Sequence, residues 1–251
     1  MNSLYPRSRR IRVLGCPVDI LDCIETSNII IESVTKGVGG VHISLNTLKL
    51  RLYYHNSDVK EVIENSELCS ADGVSIVFAG HLFGNKDIKR VPGIELFQFL
   101  LKESEKRDLG VFLLGSTDYV LGELEKQLQY ELPNLIISGK QNGFWKPWEE
   151  KGIIAKVRDS GASICFIALP SPMKEIWIRE NRHRFDGIYL IGVGGSFEVV
   201  SGIKTRAPAW MRKVGLEWFY RLLLEPRRLF KRYLIANLFY LRLLVTHLIF
   251  R

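Results

Sequence analysis

The sequence lacks the residue patterns that mark several common classes of enzyme. Its four cysteines form no Cys-x-x-Cys pair and have no metal-ligand spacing with histidine, so we expect free thiols in a reducing cytoplasm. Asp-x-Asp, His-Glu-x-x-His and Gly-x-Ser-x-Gly are absent, as are a Walker Gly-Lys-Ser/Thr motif and a complete Gly-x-Gly-x-x-Gly fingerprint. These absences argue against a metal-clamped nucleotide site, a serine hydrolase and a P-loop enzyme.

Long uncharged hydrophobic runs are also missing from the C-terminal segment. Its longest nearly uncharged stretch, 233–241, is shorter than the roughly 20 apolar residues of a spanning helix, and Arg242 interrupts its continuation. The first 15 residues are basic but lead into no apolar segment, so we expect no secretory signal. With 47% hydrophobic and 25% charged residues, the 251-residue chain is predicted to fold around a packed core.

Positive charge is concentrated at the C-terminal end. Residues 203–251 contain eleven lysines and arginines against Glu217 and Glu225, whereas residues 1–202 contain 24 basic and 25 acidic residues. We therefore predict an α/β catalytic domain at 1–202 and a basic amphipathic appendage at 203–251. A local excess of this kind indicates an anionic partner, which is phospholipid, nucleic acid or a polyanionic substrate.

Apolar runs alternate with amphipathic stretches along residues 1–202. Seven runs are typical of buried strands, and the stretches between most of them have the apolar spacing of helices. This alternation predicts a Rossmann-like α/β fold, in which a mostly parallel sheet is covered by helices on both faces. The strand-like runs are IRVLG, GVHISL, VSIVFAG, GVFLLG, LIISG, SICFIALP and IYLIGVGG.

Two of these runs end in glycines and short polar residues. Gly115 and Ser116 follow one run and precede a helical pattern, and Gly192, Gly194 and Gly195 follow another. Ligands bind beyond the carboxyl ends of parallel strands, where helix N-termini suit phosphate and glycines let a ligand approach the backbone. Each exit is therefore either a ligand loop or only a turn, and this pattern alone favours the turn.

Four polar residues stand beside predicted strands or turns. Ser44 and Asn46 end the run GVHISL and are able to hydrogen-bond a sugar or a phosphate. Asp72, just before VSIVFAG, is either a turn residue or a general base at a cleft, and its Asp-Gly pair alone favours the turn. Arg90, before a Val-Pro-Gly turn, is either a surface charge or a bidentate phosphate ligand.

Long segments of the chain resemble the WecG/TagA/CpsF family of bacterial glycosyltransferases. The resemblance runs from RVLGCPVDILDCIE through ISLNTLKL, ADGVSIVF, RVPGIEL and VFLLGS to GVGGSFEVVSGIKTRAPAWMRKVGLEWFYRLLLEPRRLFKRYL. It implies an inverting hexosyltransferase that moves N-acetylmannosamine, another hexose or a uronic acid from a UDP-sugar to a saccharide on undecaprenyl diphosphate. It also implies a role in cell-surface polysaccharide synthesis, at the inner face of the bacterial plasma membrane.

The resemblance assigns site residues as well. It implies that Asp72 is the catalytic base, that Ser44 and Asn46 belong to the catalytic site and that Arg90 binds substrate. No metal or other cofactor is expected, because arginines would neutralise the leaving phosphate in place of an acidic metal clamp. Further substrate-binding residues are expected at Gly115, Ser116, Lys174, Glu175, Gly192, Gly194, Gly195, Arg206, Arg221, Arg227, Arg228 and Arg232.

The chain departs from the family pattern at three motifs. Ser44 stands at the usual threonine, and Glu198 stands at the usual aspartate after the glycines. In the motif Pro-x-Gln-Glu the glutamine is replaced by Lys174, which places a cation at a position expected to bind the sugar. Our hypothesis is that Lys174 favours an acidic donor sugar such as a uronic acid.

The appendage has the pattern of an amphipathic helix. At 100° per residue, Arg228, Lys231, Arg232, Arg242 and Thr246 fall within an arc of roughly 100°, and mainly apolar residues lie opposite. One interpretation is a helix that lies on an anionic membrane surface and brings the site to a lipid-borne acceptor. The other is a helix packed on the body or on a neighbouring subunit of a homo-oligomer. We expect the first.

Three other functions fit parts of the pattern. Basic and aromatic residues also bind nucleic acid, but the body has no RNA-binding motif and we expect no nucleic-acid partner. A Rossmann-type oxidoreductase would need the dinucleotide fingerprint and an acidic ribose-binding residue at suitable spacing, which are missing. A non-catalytic membrane assembly subunit is the remaining alternative, and the retained Asp72, Asn46 and Arg90 argue against it.

Overall fold

A computed structural model describes residues 9–250 of the protein. Residues 1–8, on which the expectation of no secretory signal partly rests, and Arg251 lie outside the described residues. Residues 9–250 contain eight β-strands: β1 (Arg10–Val13), β2 (Cys16–Asp19), β3 (Gly40–Leu45), β4 (Leu68–Ala71), β5 (Val111–Gly115), β6 (Ile137–Gln141), β7 (Ile164–Ala168) and β8 (Tyr189–Gly192).

Helices make up most of the remaining described chain. The α-helices are α1 (Cys23–Thr35), α2 (Thr47–His55), α3 (Ser57–Glu64), α4 (Val74–Leu82), α5 (Gly93–Lys106), α6 (Asp118–Glu131), α7 (Glu150–Arg158), α8 (Met173–Asn181), α9 (Ser196–Val200), α10 (Ala209–Lys213), α11 (Glu217–Leu224) and α12 (Pro226–Ile249). Several begin at a side-chain cap, as α1 does at Asp22 and α2 at Asn46, because the cap oxygen accepts a backbone N–H of the first turn.

Six strands form one sheet in the order β4-β3-β8-β7-β5-β6, and every neighbouring pair in it is parallel. The prediction of a mostly parallel, Rossmann-like sheet is therefore confirmed. Parallel pairing brings the carboxyl ends of the strands to one edge, so the loops that follow β3, β4, β5, β7 and β8 lie together.

Each central strand is buried on both faces, which explains its continuous apolar sequence. In β5, Phe112 and Leu114 belong to one core cluster, and Val111 and Leu113 belong to the other. Residues of α2, α3, α7, α8 and α12 pack into the first cluster, and residues of α1, α5, α6 and α9 pack into the second. The predicted helices on both faces are thus confirmed.

One predicted strand is a helix. The run VSIVFAG lies in α4, and the strand of this region is the preceding β4, with the sequence LCSA. A short apolar run does not by itself distinguish a strand from a helix. Here the buried Ile76, Ala79 and Gly80 have helical spacing, while Val74 is exposed. As a result, Asp72 follows a strand instead of preceding one.

A separate β-hairpin covers the edge of the sheet at β4. β1 and β2 pair antiparallel through Leu14 and Gly15, whose φ angles of 47° and 79° are those of a two-residue hairpin turn. Asp19 binds the guanidinium of Arg10 and accepts the backbone N–H of Cys69 in β4 at 2.6 Å. The hairpin therefore satisfies part of an edge strand that would otherwise be open to another chain.

The C-terminal arm, by which we mean residues 203–250, packs on the body. Leu229, Ala236, Tyr240 and Leu244 recur along one side of α12 and are buried. The hydroxyl of Tyr240 donates a hydrogen bond to the carbonyl of Ser75, 2.8 Å away in α4. This side of α12 thus agrees with the second interpretation of the appendage, a helix packed on the body. The predicted boundary between residues 1–202 and 203–251 stays a prediction.

A second stripe of α12 is apolar and exposed. Three basic side chains of the same helix, Arg227, Lys231 and Arg242, are also exposed. The membrane interpretation applies to this side of the helix and stays a prediction. The exposed apolar residues of this side, which we call the exposed stripe, are Phe230, Leu234, Leu238, Leu241, Val245 and Leu248.

Among the described residues, α12 alone is long and apolar enough to cross a membrane by length and composition, with a mean hydropathy of 1.2 over its most apolar 18 residues. From the sequence we expected no spanning helix, because the uncharged stretch 233–241 ends at Arg242. An 18-residue window that includes Arg242 still reaches this mean hydropathy. The contacts of α12 with α2 and α4 favour a helix that lies along the protein.

Candidate active site

The carboxyl ends of β3 and β8 form the topological switch point of the sheet, near its centre. The two strands are neighbours, but the chain leaves β3 into α2 on one face and leaves β8 into α9 on the other. In open parallel sheets such a switch point is where ligands bind. Several of the predicted site residues lie at the carboxyl ends of the strands or on the loops that follow them.

The ends of β3 and β4 bring Ser44 and Asp72 into one corner. Asp72 is half-buried, and its Oδ1 accepts the backbone N–H of Gly93 at 3.2 Å, at the start of α5. The hydroxyl of Ser44 is buried and has no hydrogen-bond partner within residues 9–250. A Cβ built on Gly93 would lie 3.4 Å from that hydroxyl, so Ser44 and Asp72 flank the same glycine. The corner therefore holds an oriented carboxylate and an unpaired hydroxyl.

Asn46 completes this corner from the other side of the loop. It caps α2, and its Oδ1 accepts the backbone N–H of Lys49 at 3.1 Å. Its Nδ2 has no hydrogen-bond partner in the part of the chain that the structure describes, so two N–H donors are free. Gly73 lies against it, because a Cβ at Gly73 would come within 3.2 Å of the Asn46 Cα. The corner thus offers a base, a hydroxyl and an amide donor.

Arg90 connects the Asp72 loop to the arm. Its Nε donates to the carbonyl of Asp72 at 2.9 Å, and its Nη2 forms an ion pair with Glu217 at 3.1 Å. Its Nη1 also donates to the carbonyl of Arg212 at 3.4 Å. In the structure, the predicted substrate ligand Arg90 is therefore engaged by three acceptors of the protein.

Glu217, at the start of α11 in the arm, is the centre of a charged cluster. Besides Arg90, it pairs with Arg221 at 3.2 Å and lies 4.0 Å from Nε of Arg206, which binds Glu95 at 2.7 Å. Burial alone would raise the pKa of Glu217, but the three arginines outweigh burial and hold that pKa below its ordinary value. Two predicted arginines, Arg206 and Arg221, are thus brought to the Asp72 loop by a glutamate that the sequence analysis did not select.

The other late arginines are spread along α12. Arg228 is exposed and pairs with Glu225, whose pKa it lowers, together with Lys204, to about 2. Arg227 is exposed and forms no ion pair with residues 9–250. Arg232 is half-buried and lies near enough to Lys174 to contribute to lowering the pKa of its ammonium group. Arg232 therefore lies on the side of α12 nearer to Lys174, while Arg227 and Arg228 are exposed.

A second corner holds two buried lysines and one glutamate. Nζ of Lys49 lies 3.5 Å and Nζ of Lys174 lies 3.7 Å from the same Oε1 of Glu175, which also accepts the hydroxyl of Ser171 at 3.0 Å. Burial, reinforced by Lys49, lowers the pKa of Lys174 to about 8. Burial would raise the pKa of Glu175, but Lys174 and Lys49 outweigh burial and lower it. This corner has more positive than negative charge.

A third corner lies where β5 and β8 end. The hydroxyl of Ser116 donates to Oε1 of Glu198 at 3.3 Å, and Oε2 of Glu198 is buried without a hydrogen-bond partner among residues 9–250. Gly194 and Gly195 stand in the loop just before α9, with no atom within 4 Å of a Cβ built on Gly194. This loop leaves room for a ligand beside the Glu198 carboxylate.

Packing alone explains why Gly115 and Gly192 are glycines. A Cβ on Gly115, whose φ is 110°, would lie 2.7 Å from the carbonyl carbon of Ala168 in the neighbouring strand. A Cβ on Gly192 would lie 2.7 Å from Cε of Lys174. Gly115 therefore permits close strand packing, and Gly192 makes room for the lysine.

Three other features of the described chain delimit the site. In residues 9–250 no three His, Cys, Asp or Glu side chains are grouped as metal ligands, and a metal-independent reaction stays a prediction. All four cysteines are free, and burial raises the pKa of Cys23 and Cys69 to about 12. A cavity of about 400 Å³ between the ends of α1 and α5 lies at the opposite edge of the sheet, away from these corners.

Sequence reasoning missed Lys49 and Glu217. In the sequence Lys49 is one of several basic residues of an amphipathic helix, and such a lysine is normally solvated. Its only signal was the spacing of three residues from Asn46, which places it in the first turn of α2. Glu217 was one of only two acidic residues in a basic segment, and this isolation is the signal of a charge that pairs with several arginines.

Residues 11–251 match the family model described as Glycosyl transferase WecG/TagA/CpsF family. The matched region contains the whole parallel sheet, the three corners at its carboxyl edge and the arm.

Proposed function

The chain belongs to the WecG/TagA/CpsF family of glycosyltransferases, and from this premise we propose that it transfers a hexose from a UDP-sugar to a saccharide carried on undecaprenyl diphosphate, with inversion. Family membership makes the protein a transferase of cell-surface polysaccharide synthesis that takes a sugar donor and an acceptor. The UDP carrier, the lipid diphosphate and the stereochemistry belong to the proposal.

In the proposed reaction Asp72 is the general base. Its carboxylate takes the proton of an acceptor hydroxyl while the hydroxyl oxygen forms a bond to the anomeric carbon, and the bond from that carbon to the phosphate oxygen breaks on the opposite side. The N–H of Gly93 and the N-terminal end of α5 hold the carboxylate in place. Such a base contributes roughly 10²–10⁴-fold to the rate.

Ser44 and Asn46 orient the sugars beside this base. Both have free polar groups: the hydroxyl of Ser44 is unpaired, and Nδ2 of Asn46 has no partner within the described residues. A buried polar group without a partner costs free energy, so a bound sugar hydroxyl that pairs with Ser44 would recover part of it. These two residues distinguish a binding corner from a simple turn.

Charges of the arm neutralise the diphosphate of the leaving UDP. Arg206 and Arg221 cluster around Glu217, which pairs with Arg90 of the Asp72 loop, and Arg232 lies near Lys174. Fixed cations beside the site match the negative charge that develops on the leaving oxygen. Arg90 is occupied by the carbonyl of Asp72 and by Glu217, so we assign it a positioning role for the base and the arm.

The nucleoside lies at the corner of Ser116 and Glu198. A carboxylate with one unpaired oxygen is a suitable acceptor for a ribose hydroxyl, and it repels a diphosphate. The donor therefore runs from a ribose at Glu198, past Gly194 and Gly195, to a diphosphate near the arginines and an anomeric carbon near Asp72.

The arm binds the enzyme to an anionic membrane surface, where the lipid-borne acceptor resides. The family is membrane-associated, and the exposed stripe of α12 with its flanking basic residues has the composition of an interfacial helix. Trp210 and Trp218 of the arm, and Phe78 of α4 beside it, add exposed aromatic surface. Each basic residue near an anionic leaflet contributes on the order of 1 kcal/mol.

The single observation that carries the proposal is the corner of Asp72. A half-buried carboxylate, an unpaired buried hydroxyl and a free amide meet at the carboxyl edge of a parallel sheet, and Arg90 links them to the arm. A turn aspartate would need none of these neighbours.

The test is incubation of the purified protein with a set of UDP-sugars and undecaprenyl-diphosphate-linked saccharides, read by mass spectrometry. We expect an acceptor that gains one hexose mass, together with free UDP. Absence of transfer from every UDP-sugar, while another nucleotide-sugar is turned over, would overturn the UDP assignment. Binding to oligonucleotides in preference to anionic liposomes would favour the nucleic-acid alternative instead.

A further inference from the structure

Polar side chains of β3 and β4 lie in the core beneath the corner of Ser44 and Asp72. His42 is fully buried, and Ser44 and Ser70 are nearly so. Nε2 of His42 lies 2.9 Å from the hydroxyl oxygen of Ser70, and these two groups form a hydrogen bond. Nδ1 of His42 and the hydroxyl of Ser44 are buried and have no hydrogen-bond partner within residues 9–250. We call His42, Ser44 and Ser70 the His42 cluster.

The strand register places the His42 cluster on one face of the sheet. Ser44 is the register partner of Ser70, and His42 stands two residues before Ser44, so the three side chains point to the same side. Leu68, the register partner of His42, packs in the core cluster that α1 and α5 cover. The start of α5 lies over Ser44, because a Cβ on Gly93 would be 3.4 Å from its hydroxyl. The His42 cluster therefore supports the sugar-binding corner from inside.

The two unpaired atoms of the His42 cluster can share one partner. Burial, reinforced by Lys49, lowers the pKa of His42 to about 3, so its imidazole is neutral at pH 7. Nδ1 is then either an N–H donor or an acceptor, and in both forms it needs a partner in the core. Side chains two residues apart on a strand start about 6.6 Å from each other, and a water with two hydrogen bonds joins atoms up to about 5.5 Å apart. Side chains that lean together bring Nδ1 and the Ser44 hydroxyl within this reach.

We propose that a buried water joins Nδ1 of His42 to the hydroxyl of Ser44, and that His42 is thereby a positioning residue for the sugar-binding corner. Ser70 fixes the imidazole through Nε2, and the water holds the Ser44 hydroxyl in one orientation. A hydroxyl has one donor and two acceptor sites, so the water leaves other sites of Ser44 for a sugar hydroxyl. The positioning role rests on the proposed function and adds His42 and Ser70 to its site.

The first test is a crystal structure of the full chain at a resolution that shows ordered water. We expect density for one water within about 3.2 Å of both Nδ1 of His42 and the hydroxyl of Ser44. Absence of that density would overturn the inference, and this measurement needs no variant that has to fold.

The second test is the rate of hexose transfer by variants that each keep one end of the imidazole. The amide of His42→Asn places a polar atom near the position of Nδ1, whereas the amide of His42→Gln places one near the position of Nε2. We expect His42→Gln to lower kcat/KM about three- to tenfold, because the link to Ser44 is lost, and His42→Asn to stay within about twofold of the wild type. The affinity of both variants for UDP should change less than twofold.

A double substitution separates positioning from general loss of packing. In a Ser44→Ala background, His42→Gln should lower kcat/KM by less than a further twofold, because the hydroxyl that it orients is gone. The matched control is Ser104→Ala, which removes another buried and unpaired hydroxyl near the far end of α5 and should leave kcat/KM within about twofold.

An equal fall of kcat/KM on His42→Gln with and without Ser44 would overturn the positioning role, since a packing defect does not depend on that hydroxyl. Wild-type kcat/KM in His42→Gln would overturn it as well. Absence of transfer by the wild type from every UDP-sugar would overturn the proposed function and the positioning role with it, whereas the electron density decides the presence of the water in either case.

Discussion

The side chains of Arg90 and Glu217 form an ion pair at 3.1 Å, which ties the C-terminal arm to the loop that carries Asp72. The same guanidinium donates to the carbonyl of Asp72 at 2.9 Å, so the position of the arm and the position of the proposed base depend on one side chain. Glu217 also holds Arg221, which makes it the acidic centre of the contact.

Glu217→Gln should loosen this contact. Removal of the charge leaves Arg90 and Arg221 without their acidic partner, so we expect a loss of about 1–3 kcal/mol in the free energy of unfolding and a fall in turnover. The pKa of Glu217 in the folded protein is below its ordinary value of 4.5. Its contribution to the free energy of unfolding is therefore present at neutral pH and is lost as the pH falls below 4.5 and through the folded-state pKa. Urea unfolding of the wild type and the variant at pH 7 and at pH 3 measures the loss of stability and its pH dependence, and a transfer assay at pH 7 measures the loss of turnover.

A matched control is Glu123→Gln, which breaks an exposed pair with Lys126 on α6. Exposed pairs contribute about 0.2–1 kcal/mol, so this variant should be close to the wild type in stability and activity. Equal destabilisation by the two substitutions would contradict the central role of Glu217.

Asp72→Asn should abolish most of the turnover without loss of donor binding. Asparagine retains the oxygen that accepts the N–H of Gly93, so the loop is expected to keep its shape. The missing base should lower kcat by roughly 10²–10⁴-fold, while UDP affinity measured by calorimetry stays within about twofold. Asp87→Asn, which changes an exposed aspartate of a nearby loop, is the control. A variant with wild-type kcat would show that Asp72 is not the base.

The fold was largely predictable because the apolar period differs between buried strands and amphipathic helices. β5 and β7 are continuous apolar runs and were predicted as strands, whereas α5 and α6 show helical spacing. The run VSIVFAG in α4 was wrongly predicted as a strand because nearly all residues of α4 are apolar, including the exposed Val74 and Phe78. Its sequence therefore shows no helical period. This error concealed that Asp72 stands at the carboxyl end of β4.

The residues of the candidate site were predictable from the sequence only where they belong to a local motif. Asp72, Ser44 and Asn46 lie in local motifs, and parallel pairing of β3 and β4 brings them together. Lys49 and Glu175 meet through side chains of two helices that follow different strands, and no local pattern records such a contact. The same holds for Arg90 and Glu217, which meet only because the arm folds back on the body.

Lys174 should make stability depend on pH in the alkaline range. Burial and the charges of Lys49 and Arg232 lower its pKa to about 8 against the opposing effect of Glu175, whereas in the unfolded chain the ordinary value is 10.5. Between these values the unfolded state binds more protons, so the contribution of Lys174 to the free energy of unfolding rises with pH. The rise is at most about 3 kcal/mol.

The comparison with Lys174→Gln isolates this contribution, because the titrations of buried cysteines and tyrosines are common to both proteins. Urea unfolding at pH 7 and at pH 10 should show the wild type gaining stability relative to the variant. Parallel curves for the two proteins would mean that Lys174 keeps its ordinary pKa in the folded state.

Glu198→Gln should weaken recognition of the ribose. A carboxylate accepts hydrogen bonds from hydroxyls more strongly than an amide does, so we expect UDP affinity to fall about tenfold. The wild type should also bind UDP more tightly than 2′-deoxy-UDP or 3′-deoxy-UDP, and the variant should lose that distinction. Glu131→Gln on α6 is the control at an exposed position. A variant that weakens UDP and both deoxy analogues equally would contradict a contact with the ribose.

The exposed stripe of α12 should hold the protein on anionic membranes. Replacement of Phe230, Leu234, Leu241 and Leu248 by glutamine changes apolar side chains that are exposed to solvent, so the melting temperature should change little. Each buried apolar side chain contributes about 1–3 kcal/mol to membrane binding, so the fourfold variant should no longer float with anionic vesicles. The control replaces Tyr119 and Tyr130, which are exposed on the body, by glutamine.

A comparison of lipid-linked and water-soluble acceptors tests whether membrane binding by α12 serves catalysis. If the arm delivers the site to a lipid-borne acceptor, the fourfold variant should lose transfer to an undecaprenyl-linked saccharide and keep transfer to a short-chain, water-soluble analogue. High salt should weaken the flotation of the wild type, because it screens the attraction of Arg227, Lys231 and Arg242 to the leaflet. Unchanged flotation of the variant would show that α12 serves only to pack on the body, and equal loss of both activities would place the defect in the site itself.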